Sequence, residues 1–170
     1  MRVISDIEYA AGLKMDLYRP DADGFDLIVW FHGGGLESGC RADGAGLGAA
    51  FTAHGCGFAS ADYRMYPAAR YPDYLLDGAQ AVAFMLRQAK AYGGSGRVIV
   101  SGQSAGAYMT MLLALNPAFL RNAGADRSAV AAYISDSAQQ HTAFGFEISV
   151  KQQLKNQSNN KRNDELAVHQ

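Results

Sequence analysis

The segment RVIVSGQSAGAYMTMLLAL, residues 97–115, joins a strand pattern directly to a helix pattern. Residues 97–102 predict a central strand, and the apolar run at 107–115 predicts a helix that Asn116-Pro117 ends. The turn between them reads Gly102-Gln103-Ser104-Ala105-Gly106. A serine between two such glycines, placed after a strand and before a helix, is typical of an α/β sheet protein with a reactive serine at the sheet edge.

Ser104 is therefore predicted to be a nucleophile. On so tight a turn the serine backbone is strained, and its hydroxyl is raised above the carboxyl edge of the sheet. Gly102 and Gly106 are required because larger side chains would collide with the neighbouring strand and helix. The positive end of the following helix favours an oxyanion at the same place. The alternative is a tight turn without chemistry.

A second motif, His32-Gly33-Gly34-Gly35, follows the apolar stretch DLIVWF at 26–31. This stretch lacks polar alternation, as expected of a strand buried on both faces of a parallel sheet. Consecutive glycines allow backbone N–H groups to point together into a cavity, and with the N–H of Ala105 they would hold a negative oxygen. His32 is expected to shape this loop. The alternatives are a flexible loop and a phosphate-binding loop, although no Gly-Lys-Ser/Thr follows as a phosphate-binding loop of the Walker type requires.

The remaining segments complete an alternation of strands and helices, which predicts a mostly parallel sheet flanked by helices. Two strands joined at Ala11-Gly12 form an N-terminal antiparallel hairpin. The other predicted elements are a helix at 42–54, a strand at 57–63, a helix at 74–92 and a strand at 128–135.

Composition excludes several classes of function. The 170 residues are 49% hydrophobic and 18% charged with a net charge of −1, which is typical of a globular domain without a basic surface for nucleic acid. No apolar stretch is long enough to span a membrane, and the N-terminus lacks a secretory pattern, so we expect a cytoplasmic protein without membrane contact. Neither Cys40 nor Cys56 has the spacing of a zinc site.

The chain resembles the α/β-hydrolase superfamily, and within it the hormone-sensitive-lipase-like esterases, over roughly residues 5 to 140. The shared residues are His32-Gly33-Gly34-Gly35, Asp62-Tyr63-Arg64 with Pro67 and Pro72, and Gly102-Gln103-Ser104-Ala105-Gly106. The resemblance implies hydrolysis of a small carboxylic ester through an acyl-enzyme, without metal or organic cofactor.

The resemblance also implies roles for individual residues. Ser104 attacks, and Gly33, Gly34 and Ala105 donate to the oxyanion. Asp62, Tyr63 and Arg64 support the site from beneath, and the alternative for these three is an ordinary strand end with a surface ion pair.

The family places its acid and histidine on loops after two further strands. No further strand-like run follows residue 135, so we predict an α/β-hydrolase fold lacking its last two strands, a truncated esterase with little activity. Within the chain, Asp136 and His141 preserve the order serine, acid, histidine and are the candidate acid and base. An uncovered last strand would leave an apolar sheet edge, which predicts self-association.

The domain prediction is a hydrolase core at 1–145 and a polar tail at 146–170. The tail is rich in Asn, Gln and Lys, which fits either a solvated helix with a frayed end or a segment foreign to the domain. Two functions remain as alternatives to ester hydrolysis. One is an inactive hydrolase fold that binds a small ligand, and the other is an amide-directed, formamidase-like hydrolase.

Overall fold

The computed structural model describes residues 1–136. These residues form six strands and four α-helices. The strands are β1 (Arg2–Ala10), β2 (Leu13–Arg19), β3 (Phe25–Phe31), β4 (Gly57–Ala61), β5 (Gly94–Gln103) and β6 (Val130–Asp136). The helices are α1 (Ala45–Ala53), α2 (Asp73–Gln88), α3 (Ala105–Leu115) and α4 (Pro117–Asn122), with 3-10 turns at Arg41–Gly44 and Arg127–Ala129.

The six strands form one sheet in the order β1-β2-β4-β3-β5-β6. The first two make the predicted antiparallel hairpin, whose turn needs the positive φ of 73° at Gly12. Strand β2 is antiparallel to β4, whereas β4, β3, β5 and β6 run parallel to one another. The prediction of a mostly parallel sheet is therefore confirmed.

Strand register brings the two sequence motifs to one edge of the sheet. Phe31, the last residue of β3, pairs with Ala61 of β4 and with Gly102 of β5. Because the carboxyl ends of parallel strands coincide, the loops that follow these three strands start side by side. The glycine loop and the Ser104 turn are thereby placed as neighbours.

The sheet is covered on both faces, which is why β3 carries the continuous apolar run at 27–31. On one face Ile28 and Trp30 pack with Tyr18 and Phe58, and the Trp30 and Phe58 ring centroids are 5.6 Å apart. On the other face Phe31 lies against Gly78 of α2, where an added Cβ would stand 3.3 Å from the Phe31 ring. Burial of this kind stabilises the fold by about 1.5–3 kcal/mol for each large apolar side chain.

Strand β6 is an outermost strand of the sheet within residues 1–136, and it pairs only with β5 there. Its Ser135 hydroxyl donates to the carbonyl of Ala107 at 3.1 Å, which ties the strand to α3. Most of the strand is nevertheless exposed, including Ile134 at 52%. The predicted boundary at 145/146 and the predicted tail lie outside the described residues. No helix in the described part is long and apolar enough to cross a membrane.

Candidate active site

Ser104 occupies a strained turn between β5 and α3. Its φ of 51° and ψ of −111° lie in a region that side-chain-bearing residues rarely adopt, at a cost of about 1–3 kcal/mol. The backbone strain predicted for residue 104 is confirmed. Ser104 is the N-cap of α3, but its hydroxyl accepts no capping hydrogen bond from the described first turn. The Ser104 side chain is half-buried, and helix capping does not explain why a serine occupies this position.

Glycine is required on both sides of this serine. A Cβ at Gly102 would stand 2.4 Å from the carbonyl carbon of Gly106, and one at Gly106 would stand 2.0 Å from the carbonyl oxygen of Phe31. Both distances are far below van der Waals contact, and both involve backbone atoms that cannot rotate away. Gly102 therefore lets the start of α3 lie against the end of β5, and Gly106 lets it lie against the end of β3.

The backbone of Ser104 is held by its neighbours. Its N–H donates to the carbonyl of Asp136 at 3.0 Å, and its carbonyl accepts from the N–H of Tyr108 at 3.0 Å. The next N–H, that of Ala105, belongs to the first turn of α3, where N–H groups have no partner within the helix. Helix geometry therefore provides no acceptor within α3 for the N–H of Ala105.

The glycine loop lies against the serine turn. A Cβ at Gly33 would stand 3.4 Å from the Cβ of Ser104 and 3.3 Å from the carbonyl oxygen of Gln103. Gly34 has a φ of 103°, and a Cβ there would stand 2.1 Å from the carbonyl oxygen of Ser38. The structure brings the two motifs together, and neither Gly33 nor Gly34 could carry a side chain without displacing its surroundings.

His32 lies fully buried beneath this loop. Its Nδ1 is 2.7 Å from the carbonyl oxygen of Gly33, which accepts hydrogen bonds only, so the Nδ1–H donates. The imidazole stacks on the ring of Tyr63 with centroids 4.3 Å apart and 14° between the planes. The Tyr63 hydroxyl donates to the carbonyl of His32 at 2.8 Å. Burial, with the charge of Asp43 as a smaller cause, raises the pKa of Tyr63, so its phenol remains a donor.

The other two predicted supporting residues bind elsewhere. The carboxylate of Asp62 pairs with the guanidinium of Arg41 and accepts the Arg41 backbone N–H at 2.7 Å. Arg64 pairs with the buried carboxylate of Asp77 on α2 at 2.7 Å. Tyr63 thus contacts the glycine loop directly. Asp62 instead binds Arg41, which follows the loop in the chain. Arg41 and Asp77 were not among the predicted site residues.

The candidate acid lies next to the serine turn. Asp136 is the last residue of β6 and pairs in register with Gln103, the residue before Ser104. His141, the candidate base, lies outside the described residues. Within residues 1–136 no three His, Cys, Asp or Glu side chains form a group that could hold a metal ion.

A serine turn between strand and helix, faced by a glycine loop at the carboxyl edge of a mixed sheet, defines the α/β-hydrolase fold. The chain belongs to the BD-FAE family, whose model matches residues 15–165.

Curated relatives of the chain are named as esterases. A rice protein (Oryza sativa subsp. japonica) named Probable isoprenylcysteine alpha-carbonyl methylesterase is 34% identical over 118 residues, which are 68% of this chain and 28% of the relative. The isoprenylcysteine alpha-carbonyl methylesterase of Arabidopsis thaliana is 32% identical over 108 residues, 62% of this chain and 25% of the relative. The chain spans about a quarter of the length of these relatives.

Solved structures of esterases share the fold. A thermophilic esterase of the Planctomycetes species Thermogutta terrifontis is 28% identical with a TM-score of 0.56, over 64% of this chain and 41% of that chain. The Pyrobaculum calidifontis esterase, 24% identical, has a TM-score of 0.64 over 74% of this chain and 42% of that chain, and shows the fold alone. The predicted α/β-hydrolase class and its resemblance to esterases are confirmed.

Proposed function

We propose that this chain carries the nucleophile and the oxyanion hole of a serine esterase, with a small carboxylic ester as substrate. The observation that supports it best is the strained Ser104 turn, placed against Gly33 of the glycine loop. About 1–3 kcal/mol of backbone strain is retained at a serine whose hydroxyl caps no described helix turn. Strain of this kind is typical of residues with a chemical role. The names of the relatives point to the same reaction.

In the proposed reaction the Ser104 hydroxyl oxygen attacks the ester carbonyl carbon. The carbonyl oxygen becomes negative, and the N–H groups of Gly33, Gly34 and Ala105 donate to it. Collapse of this intermediate breaks the bond to the alkoxy group, which leaves as the alcohol, and an acyl-Ser104 ester remains. Water then attacks that ester, releases the carboxylic acid and restores the serine hydroxyl.

The proton of the Ser104 hydroxyl needs a base. We assign this role to His141, oriented by Asp136, whose strand end lies beside the serine turn. A serine without a positioned base retains only the contribution of the oxyanion hole and of binding, about 10³–10⁴-fold over water. The activity of this chain therefore depends on whether such a base reaches Ser104.

The test is hydrolysis of p-nitrophenyl butyrate by the purified chain and by Ser104→Ala. A fluorophosphonate probe, followed by peptide mapping, reports in parallel which serine is labelled even when turnover is slow. Ser101→Ala, three residues earlier on β5, is the matched control and is expected to keep the wild-type labelling rate. Labelling at Ser104 that is lost in Ser104→Ala supports the proposal. A wild-type chain that leaves Ser104 unlabelled, or a label on another serine, would refute it.

The base is tested separately with His141→Ala. If His141 takes the serine proton, this variant loses at least about 10²-fold in turnover, the lower end of the range for a general base. Turnover equal to that of the wild-type chain would exclude His141 and leave the nucleophile assignment in place.

A further inference from the structure

The direction of the Gly33 N–H is tied to the carbonyl of the preceding residue. The C=O of His32 and the N–H of Gly33 belong to one planar peptide group and point in opposite directions. A hydrogen bond that holds this C=O on the side away from the sheet edge therefore aims the N–H at the opposite side. The same relation joins the C=O of Gly33 to the N–H of Gly34.

The first of these carbonyls is held by Tyr63. The hydroxyl of Tyr63 donates to the His32 carbonyl at 2.8 Å, and the side chain is only 3% exposed. Water therefore does not compete for this carbonyl as it would at the surface. The bond fixes the peptide group that carries the Gly33 N–H.

The second carbonyl is held by His32, which Tyr63 holds in turn. The Nδ1–H of His32 donates to the Gly33 carbonyl at 2.7 Å, and this fixes the peptide group of Gly34. The imidazole stacks on the Tyr63 ring, with the centroids 4.3 Å apart, and its Nδ1 side lies next to Gly39. A Cβ at Gly39 would stand 2.4 Å from Nδ1, so only glycine fits beside the ring at this position.

We propose that Tyr63 is the positioning residue of the oxyanion hole, aiming the Gly33 N–H through its hydroxyl and the Gly34 N–H through its ring. The proposal rests on the proposed function, since it assumes that these N–H groups receive the oxyanion. Tyr63 acts through His32 and the loop backbone.

Two substitutions distinguish the effect of the Tyr63 hydroxyl on Gly33 from the effect of its ring on Gly34. Tyr63→Phe removes the hydroxyl and keeps the stacked ring, so the amide signal of Gly33 should move in a ¹H–¹⁵N spectrum while that of Gly34 stays. Tyr63→Leu also removes the stack, so both amide signals should move. A tyrosine that only packs in the core would not move the Gly33 signal alone in Tyr63→Phe and both signals in Tyr63→Leu.

Tyr9→Phe is the matched control. Tyr9 is also buried, at 6% exposure, and its hydroxyl also donates to a backbone carbonyl, that of Asp62, at 2.5 Å. This substitution also deletes a phenol hydroxyl. The carbonyl that loses its hydrogen bond is that of Asp62, the residue before Tyr63, and it lies outside the glycine loop. It should leave the Gly33 and Gly34 signals in place.

The experiment measures fluorophosphonate labelling of Ser104 and the two amide signals in the full chain and its three variants. We expect labelling about tenfold slower in Tyr63→Phe than in Tyr9→Phe, a fraction of the 10²–10³-fold attributed to a whole oxyanion donor. Slower labelling together with a displaced Gly33 signal supports the proposal. Either change without the other, or equal changes in Tyr9→Phe, overturns it.

Failure of the proposed function would have a different signature. If even the wild-type chain leaves Ser104 unlabelled, the esterase proposal fails, and the amide signals alone decide whether Tyr63 orients the loop. If Tyr63→Leu does not fold, the comparison of Tyr63→Phe with Tyr9→Phe carries the test.

Discussion

Gly106→Ala tests whether the close contact between the serine turn and the glycine loop is needed. The added Cβ would stand 2.0 Å from the carbonyl oxygen of Phe31 and 2.7 Å from that of His32. Real Cβ atoms essentially never come closer than 3.0 Å to such atoms, so α3 and the end of β3 must separate by about 1 Å. The carbonyl of His32 is the one that Tyr63 holds.

The expected loss of stability follows from two opposing contributions. Overpacking against backbone atoms costs about 3 kcal/mol, the upper end of the usual range, since no side chain can rotate away. Alanine is favoured over glycine in a helix by up to about 1 kcal/mol. The net loss is about 2 kcal/mol, which for a chain of this size lowers Tm by about 4–8 °C. Labelling of Ser104 should fall about 10²-fold, the effect of misplacing a reacting group by 1 Å.

The control is Gly46→Ala in α1. Gly46 is exposed and helical, and an added Cβ there meets no atom within 4 Å, so stability should rise by up to about 1 kcal/mol with no change in labelling. Both variants are measured by thermal unfolding and by the rate of fluorophosphonate labelling. If Gly106→Ala gains stability as Gly46→Ala does and labels at the wild-type rate, the packing argument is wrong.

Three further predictions concern strain, the sheet edge and alkaline pH. Ser104→Gly should be about 1 kcal/mol more stable than Ser104→Ala in urea unfolding, because glycine adopts the backbone angles of residue 104 without strain; equal midpoints would contradict this. The wild-type chain should self-associate through β6, and Ile134→Lys should shift it toward monomer in sedimentation. A monomeric wild-type chain would show that β6 is not a self-association surface. The folded pKa of Tyr63 is raised above its ordinary value of 10.0, so the stability this phenol contributes is complete below pH 10 and is lost as pH rises through the folded pKa. Tyr63→Phe should accordingly remove a late phase from the alkaline absorbance titration, and loss of an early phase would be the contrary result.

The fold could be predicted where its signals are local. An apolar run buried on both sides, as in β3, and a glycine-flanked serine between strand and helix each reveal themselves within about ten residues. Sequence patterns that fit two structures were harder to interpret. Asn116-Pro117 was predicted to end a helix, which it does, but Asn116 also accepts the Ala118 N–H at 3.1 Å and Pro117 begins α4. Helix α4 was not predicted, because proline suits the first turn of a helix as well as a break.

The site was predictable in its backbone and less so in its side chains. The glycine spacing around Ser104 and Gly33 locates the two motifs because backbone geometry restricts these positions to glycine. The partners of Asp62 and Arg64 could not be read from the sequence, since Arg41 and Asp77 are 21 and 13 residues away and carry no local signature. Ion pairs between distant segments become visible only once the sheet is assembled.

The strained turn at Ser104 also bears on how this sequence can change over generations. A glycine at residue 104 would relieve the strain and leave the fold intact, so a lineage released from the need for a hydroxyl would gain stability by a single exchange. Most random substitutions lower stability, which makes such a gain a preferred route of drift. A serine at these backbone angles is therefore what selection for its hydroxyl would leave behind, and the strain itself is visible in a single structure.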